Sequence, residues 1–283
     1  MKALKLSFLA AVLAAAAALA HAKDKDPVDA GPYVPSPQSV VSDMLKLAEV
    51  GPGDFLIDLG SGDGRIVLTA AKVFGARGFG VEIKDDLVRL SNEAAKKEGV
   101  ADRVKFITQD LFKTDISRAT VLTMYLLPNT VNMLKDKLLA ELRPGTRILS
   151  HDYPLAGWLP EKYVQMDLED KVAISGVTTT LIYLYVVPAK VAGSWSASLP
   201  PGLSREPVRF SLRQQITRVS GSARIGSKDV IVEDGRLRGE RLSFRLLAGG
   251  RSYEFNATVK AGAIEGMVEG AGTKASWSAA PAK

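Results

Sequence analysis

Asp58-Leu59-Gly60-Ser61-Gly62-Asp63-Gly64 decides how this chain is read. It follows an apolar run at residues 55–59 and precedes a helical pattern at residues 66–74. The glycines therefore fall where a strand turns into a helix, and without Cβ atoms the backbone there can bend sharply and approach a ligand closely. The spacing is GxGxG. Arg65 stands where a dinucleotide-binding GxGxxG would place its third glycine, so a pyrophosphate fingerprint is imperfect.

Outward from this turn the pattern repeats. Short apolar runs at residues 78–83, 104–107, 121–127 and 147–149 are rich in Val, Ile, Leu and Phe. Separated by helical patterns, they predict a buried parallel sheet. Ser36-Pro37 supplies an N-cap and first-turn proline for a helix bearing Val40, Val41, Met44, Leu45 and Ala48. Asp85 opens a second helix that stops at Gly99, and Asn129 caps a third that ends at Pro144-Gly145. Runs at 163–168 and 178–187 have no clear helix between them and predict an antiparallel pair at the far edge. The fold class expected over residues 37–188 is α/β, a doubly wound sheet.

Two further carboxylates stand at strand ends. Glu82 closes the second strand 22 residues after Gly60, where a carboxylate reaches two ribose hydroxyls. Asp110 closes the third strand, where it can accept from an adenine amino group. With Asp58, acidic groups at three successive strand ends suit a nucleoside without phosphates.

These residues resemble the class I S-adenosylmethionine-dependent methyltransferases. The resemblance spans about residues 33–152, through 58–64, Gly80-Val81-Glu82, 102–110 and Leu142-Arg143-Pro144-Gly145. Pro32-Tyr33-Val34-Pro35-Ser36, with 61–66 and Asp110-Leu111, is similar to the small family that includes mitochondrial protein-lysine methyltransferases. The resemblance implies S-adenosylmethionine as cofactor and methyl transfer to a protein lysine or other amine. Gly60, Ser61, Gly62 and Gly64 would pass beneath its methionine and ribose parts, with Asp58 at the ammonium end. Glu82 would hold the ribose, and Asp110 with Leu111 the adenine. Tyr33, Tyr125 and Asp152 are the implied catalytic candidates, with Tyr33 and Asp152 lining the acceptor pocket; Tyr153 is a further candidate. Tyr33 can equally be packing, His151 at a strand end reads as structural, and Asp63 as a turn residue.

The ends of the chain differ from this middle. Lys2 and Lys5, an apolar stretch at residues 6–19 and Ala20-His21-Ala22 read as a secretory signal peptide over residues 1–22. The expected location is exported, periplasmic or secreted; the alternative is an uncleaved membrane anchor. Residues 23–36 read as a linker. The chain of 283 residues has no cysteine, which excludes a disulfide scaffold and a thiolate metal site, and no carboxylate or histidine spacing implies a metal.

From residue 189 onward period-two alternation takes over. Val208, Phe210 and Leu212, then Leu242, Phe244 and Leu246, then Tyr253, Phe255, Ala257 and Val259 alternate with polar neighbours. Asp234-Gly235, Gly249-Gly250 and Ala261-Gly262 read as turns. A small antiparallel all-β barrel or sandwich follows over residues 189–283, and Gly193-Ser194-Trp195 with Ala275-Ser276-Trp277 resembles the first and last strands of lipocalin- or avidin-like barrels. This part carries 15 basic against 8 acidic residues, net +7, while residues 23–188 carry 20 against 23, net −3. The basic surface reads as a soluble exterior or as a site for an anionic protein, lipid headgroup or polysaccharide. No aromatic residues interleave with it, so nucleic acid is not an expected partner. The functional reading is a methyltransferase with a protein substrate and membrane association through the apolar segment. The rivals are a non-catalytic nucleoside-binding module with a ligand- or surface-recognising barrel, a barrel that binds an apolar ligand, and an NAD-linked oxidoreductase.

Overall fold

A computed structural model describes residues 32–172 and 176–282. The expected signal peptide and most of the expected linker lie outside the described residues. The first domain alternates α1 (Gln38–Leu47), β1 (Phe55–Leu59), α2 (Arg65–Phe74), β2 (Arg77–Glu82), α3 (Asp85–Lys97), β3 (Val104–Thr108), β4 (Val121–Met124), α4 (Pro128–Glu141) and β5 (Arg147–His151). Then come β6 (Lys162–Asp167) and β7 (Thr179–Val186). The strand order is β3-β2-β1-β4-β5-β7-β6. β1 to β5 run parallel, while β7 is antiparallel to both β5 and β6. The expected hairpin is thus present, with its second strand inside and its first at the edge.

The central strands are apolar on both sides because helices cover both faces. α1, α2 and α3 bury Val41, Leu45, Val67 and Val88 with Leu56, Phe106 and Leu149 on one face. α4 buries Val131, Leu134 and Leu138 with Ile57, Leu122, Ile148 and Tyr185 on the other. Local helix starts differ from expectation. Pro37, not Ser36, occupies the N-cap of α1, because the Ser36 hydroxyl lies 2.8 Å from His151 Nδ1. α4 begins at Pro128, after Leu127, and Asn129 sits inside its first turn instead of capping it. Proline fits this place, since a first-turn N–H has no helical partner to lose.

Eight antiparallel strands follow: β8 (Gly193–Ser198), β9 (Val208–Gln215), β10 (Arg218–Ile225), β11 (Lys228–Arg238), β12 (Arg241–Ala248), β13 (Arg251–Lys260), β14 (Ala263–Gly270) and β15 (Thr273–Pro281). Each pairs with the next and β15 returns to β8, closing an up-and-down barrel with no free edge. The alternation seen in the sequence points inward. Phe244 and Phe255 stack at 4.6 Å, and the Trp277 ring stands nearly perpendicular to both. With Trp195, Phe210 and Tyr253 they fill the interior, so the barrel encloses a packed core. That packing argues against the apolar-ligand reading. Asp234-Gly235 is not a turn: both residues lie within β11, at a bulge in its pairing with β10 and β12. Gly235 is required there because a Cβ would come within 2.1 Å of Val219 O.

The barrel docks on the sheet edge where β5 begins. Ala189 N–H donates to Gly239 O at 2.8 Å, Arg238 pairs with Glu161 at 3.1 Å, and Ile216 packs against the Trp158 and Tyr185 cluster. The glycine turn after β1 lies at the opposite edge. Among the described residues no helix is long and apolar enough to cross a membrane. Phe255→Ala, which removes a fully buried ring from the barrel centre, is expected to cost about 3–5 kcal/mol in urea unfolding. Ile231→Ala on the exposed wall should stay within about 0.5 kcal/mol.

Candidate active site

The glycine turn is pinned to the end of β2. Gly60 and Ser61 N–H groups both donate to Val81 O at 2.9 Å. Gly62 N–H donates to Glu82 Oε2 at 3.0 Å, while Ile83 and Lys84 N–H groups hold Oε1 at 2.8 and 3.1 Å. The backbone thus fixes the Glu82 carboxylate and leaves acceptor capacity toward the cleft. Gly62 has φ +53°, and a Cβ on it would stand 2.4 Å from the Tyr33 ring. Glycine is needed for both reasons.

Asp58 is buried behind this turn and accepts from the Thr123 hydroxyl at 2.7 Å. Burial, reinforced by the Glu82 and Asp63 charges, pushes its carboxyl up to about 7. A ligand ammonium placed beside it would restore the ionised form. Ser61 Oγ is buried with no hydrogen-bond partner among the described residues, which leaves a polar group for a ligand to satisfy.

Residues 32–36 form a strap over the turn. Arg65 grips Asp63 with two nitrogens, at 3.0 and 2.6 Å, and donates a third bond to Ser36 O at 2.8 Å. The Arg65 guanidinium holds the Asp63 carboxyl below its usual range despite burial, and burial with the Asp63 charge pushes the Tyr33 hydroxyl up. Arg65, the departure from a dinucleotide fingerprint, is therefore what fastens the strap. Asp63 is more than a turn residue. At the far end Asp110 Oδ1 takes the Phe112 N–H at 2.8 Å, beside the buried Leu111.

One cleft is lined by Tyr33, Asp58, Gly60, Ser61, Gly62, Glu82, Asp110, Leu111 and Tyr125. Gly64 sits just behind, against Phe106 and Ser91. Asp152 does not line the cleft, contrary to expectation. It stands behind Tyr125, whose hydroxyl donates to Asp152 Oδ2 at 3.1 Å. Lys171 Nζ lies 2.7 Å from the same carboxylate and donates to Thr179 O, and Leu181 N–H completes the set. Three donors from β4's end, the β6–β7 connection and β7 hold Asp152 at φ +62°, turned away from the cleft. Burial and the Asp152 charge push the Tyr125 hydroxyl up, so it stays protonated. His151 is buried, lies tilted against the Tyr125 ring with centroids 3.9 Å apart, and is pushed down to about 4 by burial. It acts as a neutral wedge between strap and strand. Tyr153 packs on the core beside α4. Lys171 carried no sequence signal, being an isolated lysine in a connection without periodicity.

The sheet order, the glycine turn and the acidic strand ends together define a class I S-adenosylmethionine-dependent methyltransferase. A family described as the ANTKMT methyltransferase domain matches residues 58–162. A protein-lysine N-methyltransferase of Saccharolobus islandicus is 43% identical over 157 residues, covering 55% of this chain and 93% of the relative. The chain belongs to that protein-lysine N-methyltransferase family. The adenine nucleotide translocase lysine N-methyltransferase of Mus musculus is 34% identical over 156 residues, covering 55% of this chain and 63% of the relative. A solved structure titled as an RNA methyltransferase from Salinibacter ruber with S-adenosyl-L-homocysteine is 46% identical, covers 56% of this chain and 96% of that one, and has a TM-score of 0.50. The residues present fit the cofactor: an orphaned buried hydroxyl, a glycine cradle and three carboxylates at the places the nucleoside requires.

Two outcomes follow for this site. The ordinary carboxylate value is ~3.9; because the folded Asp58 lies above it, its ionisation opposes folding, a cost that accrues as pH rises from that value and is complete above about 7. Because the ionised carboxylate is the form that pairs with the ligand ammonium, affinity for S-adenosylhomocysteine should increase as pH rises from 5.5 toward 7.5, read by calorimetry, and Asp58→Asn should flatten that profile and weaken binding. Asp152→Ala, which removes the acceptor shared by Tyr125, Lys171 and Leu181, should destabilise the fold in urea unfolding by about 1–3 kcal/mol.

Proposed function

We propose that this protein transfers the methyl group of S-adenosylmethionine to a lysine amine of a protein. When bound, the cofactor supplies a methyl on a positively charged sulfur. Gly60, Ser61 and Gly62 would cradle it, Asp58 its ammonium, Glu82 its ribose, and Asp110 with Leu111 its adenine. The strap at residues 32–36 shields the cleft from water.

The observation that carries the lysine reading is the Tyr125 hydroxyl, on the cleft wall, with its proton committed to Asp152. Its oxygen is left to accept from an incoming N–H, which orients an amine for in-line approach. A free lysine has a pKa of ~10.4, so the amine must shed a proton before it attacks the methyl. An RNA acceptor is the second reading, raised by the Salinibacter relative's title. The cleft walls disfavour it: Asp58, Glu82 and Asp110 line the site against Lys84, while Arg65 and Asp63 neutralise each other. Phosphates would be repelled.

The N-terminal apolar stretch supports placement at or across a membrane, and the barrel, standing at the sheet edge away from the cleft, supports a role in locating the enzyme. Incubating the full chain with labelled cofactor, lysine-bearing polypeptides and RNA tests the acceptor. Label should appear on lysine, and Tyr125→Phe should lower kcat by about tenfold, roughly one hydrogen bond to the reacting amine, with S-adenosylhomocysteine affinity kept. Label on RNA alone, or tight cofactor binding with no transfer to either, would contradict the reading.

A further inference from the structure

The outer wall of the barrel opposes arginine to arginine. In the strand register Arg209 faces Arg224, Arg218 faces Arg236, and Arg238 faces Arg241. Directly opposed residues of antiparallel strands project on the same side, and like charges there destabilise the pair. Elsewhere the wall intersperses the signs, with Arg245 opposite Glu233 and Glu254 and Lys274 opposite Glu269, so the arginine pairs stand out. Here Arg224 pairs with Asp229 and Arg238 with Glu161, whereas Arg209, Arg213, Arg218, Arg236 and Arg241 make no ion pair among the described residues.

Four of these arginines, 218, 236, 238 and 241, gather on β10, β11 and β12 at the end of the barrel that meets the α/β domain. Arg236, Arg238 and Arg241 also line a groove of about 770 Å³ between the barrel wall and the loop carrying Leu159, Pro160 and Glu161. Met267 and Leu159, both exposed, sit in the same groove, as does Glu265.

We infer that this groove binds a carboxylate-rich polypeptide segment of a protein partner. Arginine forks match carboxylates two bonds at a time, and Arg236 and Arg241, which make no ion pair among the described residues, keep that capacity open in the groove while Glu161 holds Arg238. The choice of partner follows from shape and lining. The arginines line a concave groove between two domains, which a flat bilayer surface cannot enter, and the apolar Leu159 and Met267 lie inside it. The lining contains no aromatic ring on which a nucleobase could stack. Because the groove lies at the sheet edge opposite the cofactor cleft, it holds a partner without obstructing methyl transfer, and the inference does not depend on the acceptor.

Fluorescence anisotropy of a labelled oligoglutamate peptide with the full chain tests this directly. The expected result is saturable binding that weakens with salt and falls at least tenfold in Arg236→Ser/Arg241→Ser, with S-adenosylhomocysteine affinity unchanged. The thermal midpoint of that variant should hold or rise, since opposed charges are removed. Arg236→Glu/Arg241→Glu should lose oligoglutamate and gain oligolysine, a gain that an unfolded variant would not show. Absence of binding at low ionic strength, equal binding by the serine variant, or tighter binding to phosphatidylglycerol vesicles or single-stranded RNA than to the peptide would overturn the inference.

Discussion

The hydrogen bond from Gly62 N–H to Glu82 couples the two halves of the cofactor cleft. One partner belongs to the turn after β1 and the other closes β2, so neither can take its working position without the other. The turn is held further by Val81 O, and its left-handed glycine leaves room for the Tyr33 ring. Everything that makes the site chemical follows from that lock. The carboxylate is aimed, Asp58 is buried behind it with a raised pKa, and the strap is fastened by Arg65 across the top. A single backbone donor thus ties the local conformation of a short glycine segment to the electrostatics of a whole cleft.

The two domains divide the work by geometry. The α/β sheet presents its ligand site where parallel strands end, the edge at which helix N-termini and loops converge. The barrel occupies the other edge, through Gly239, Glu161–Arg238 and Ile216. It therefore contributes no side chain to the cleft, and its interior is filled by Phe210, Phe244, Phe255 and Trp277. What remains available to it is its outer wall, where the arginines lie.

Much of this was legible in the sequence, and the reasons are physical. Buried strands and amphipathic helices carry strong periodic signals, so β1 and the inward-facing barrel residues emerged directly. The glycine turn and the acidic strand ends were legible because their chemistry depends on position along the chain. Asp234-Gly235 misled because a β-bulge and a hairpin turn ask for the same backbone freedom. Ser36 was read as a cap because that is a local motif, whereas its hydroxyl is spent on His151, 115 residues away. Asp152 failed as a pocket residue for the same reason: its direction is set by Lys171 and Leu181, which no local pattern connects to it. Long-range polar pairs are invisible to periodicity.

Carboxylate recognition of an adenosyl ligand in the cleft is measured most directly by calorimetric titration of the full chain with S-adenosylhomocysteine and NAD. S-adenosylhomocysteine should bind and NAD should not. Glu82→Ala should lose at least 1.5–3 kcal/mol, about that of charge-assisted ribose hydrogen bonds, with the loosened glycine turn adding to it. Unchanged S-adenosylhomocysteine affinity in Glu82→Ala, or preference for the phosphate-bearing dinucleotide, would contradict it.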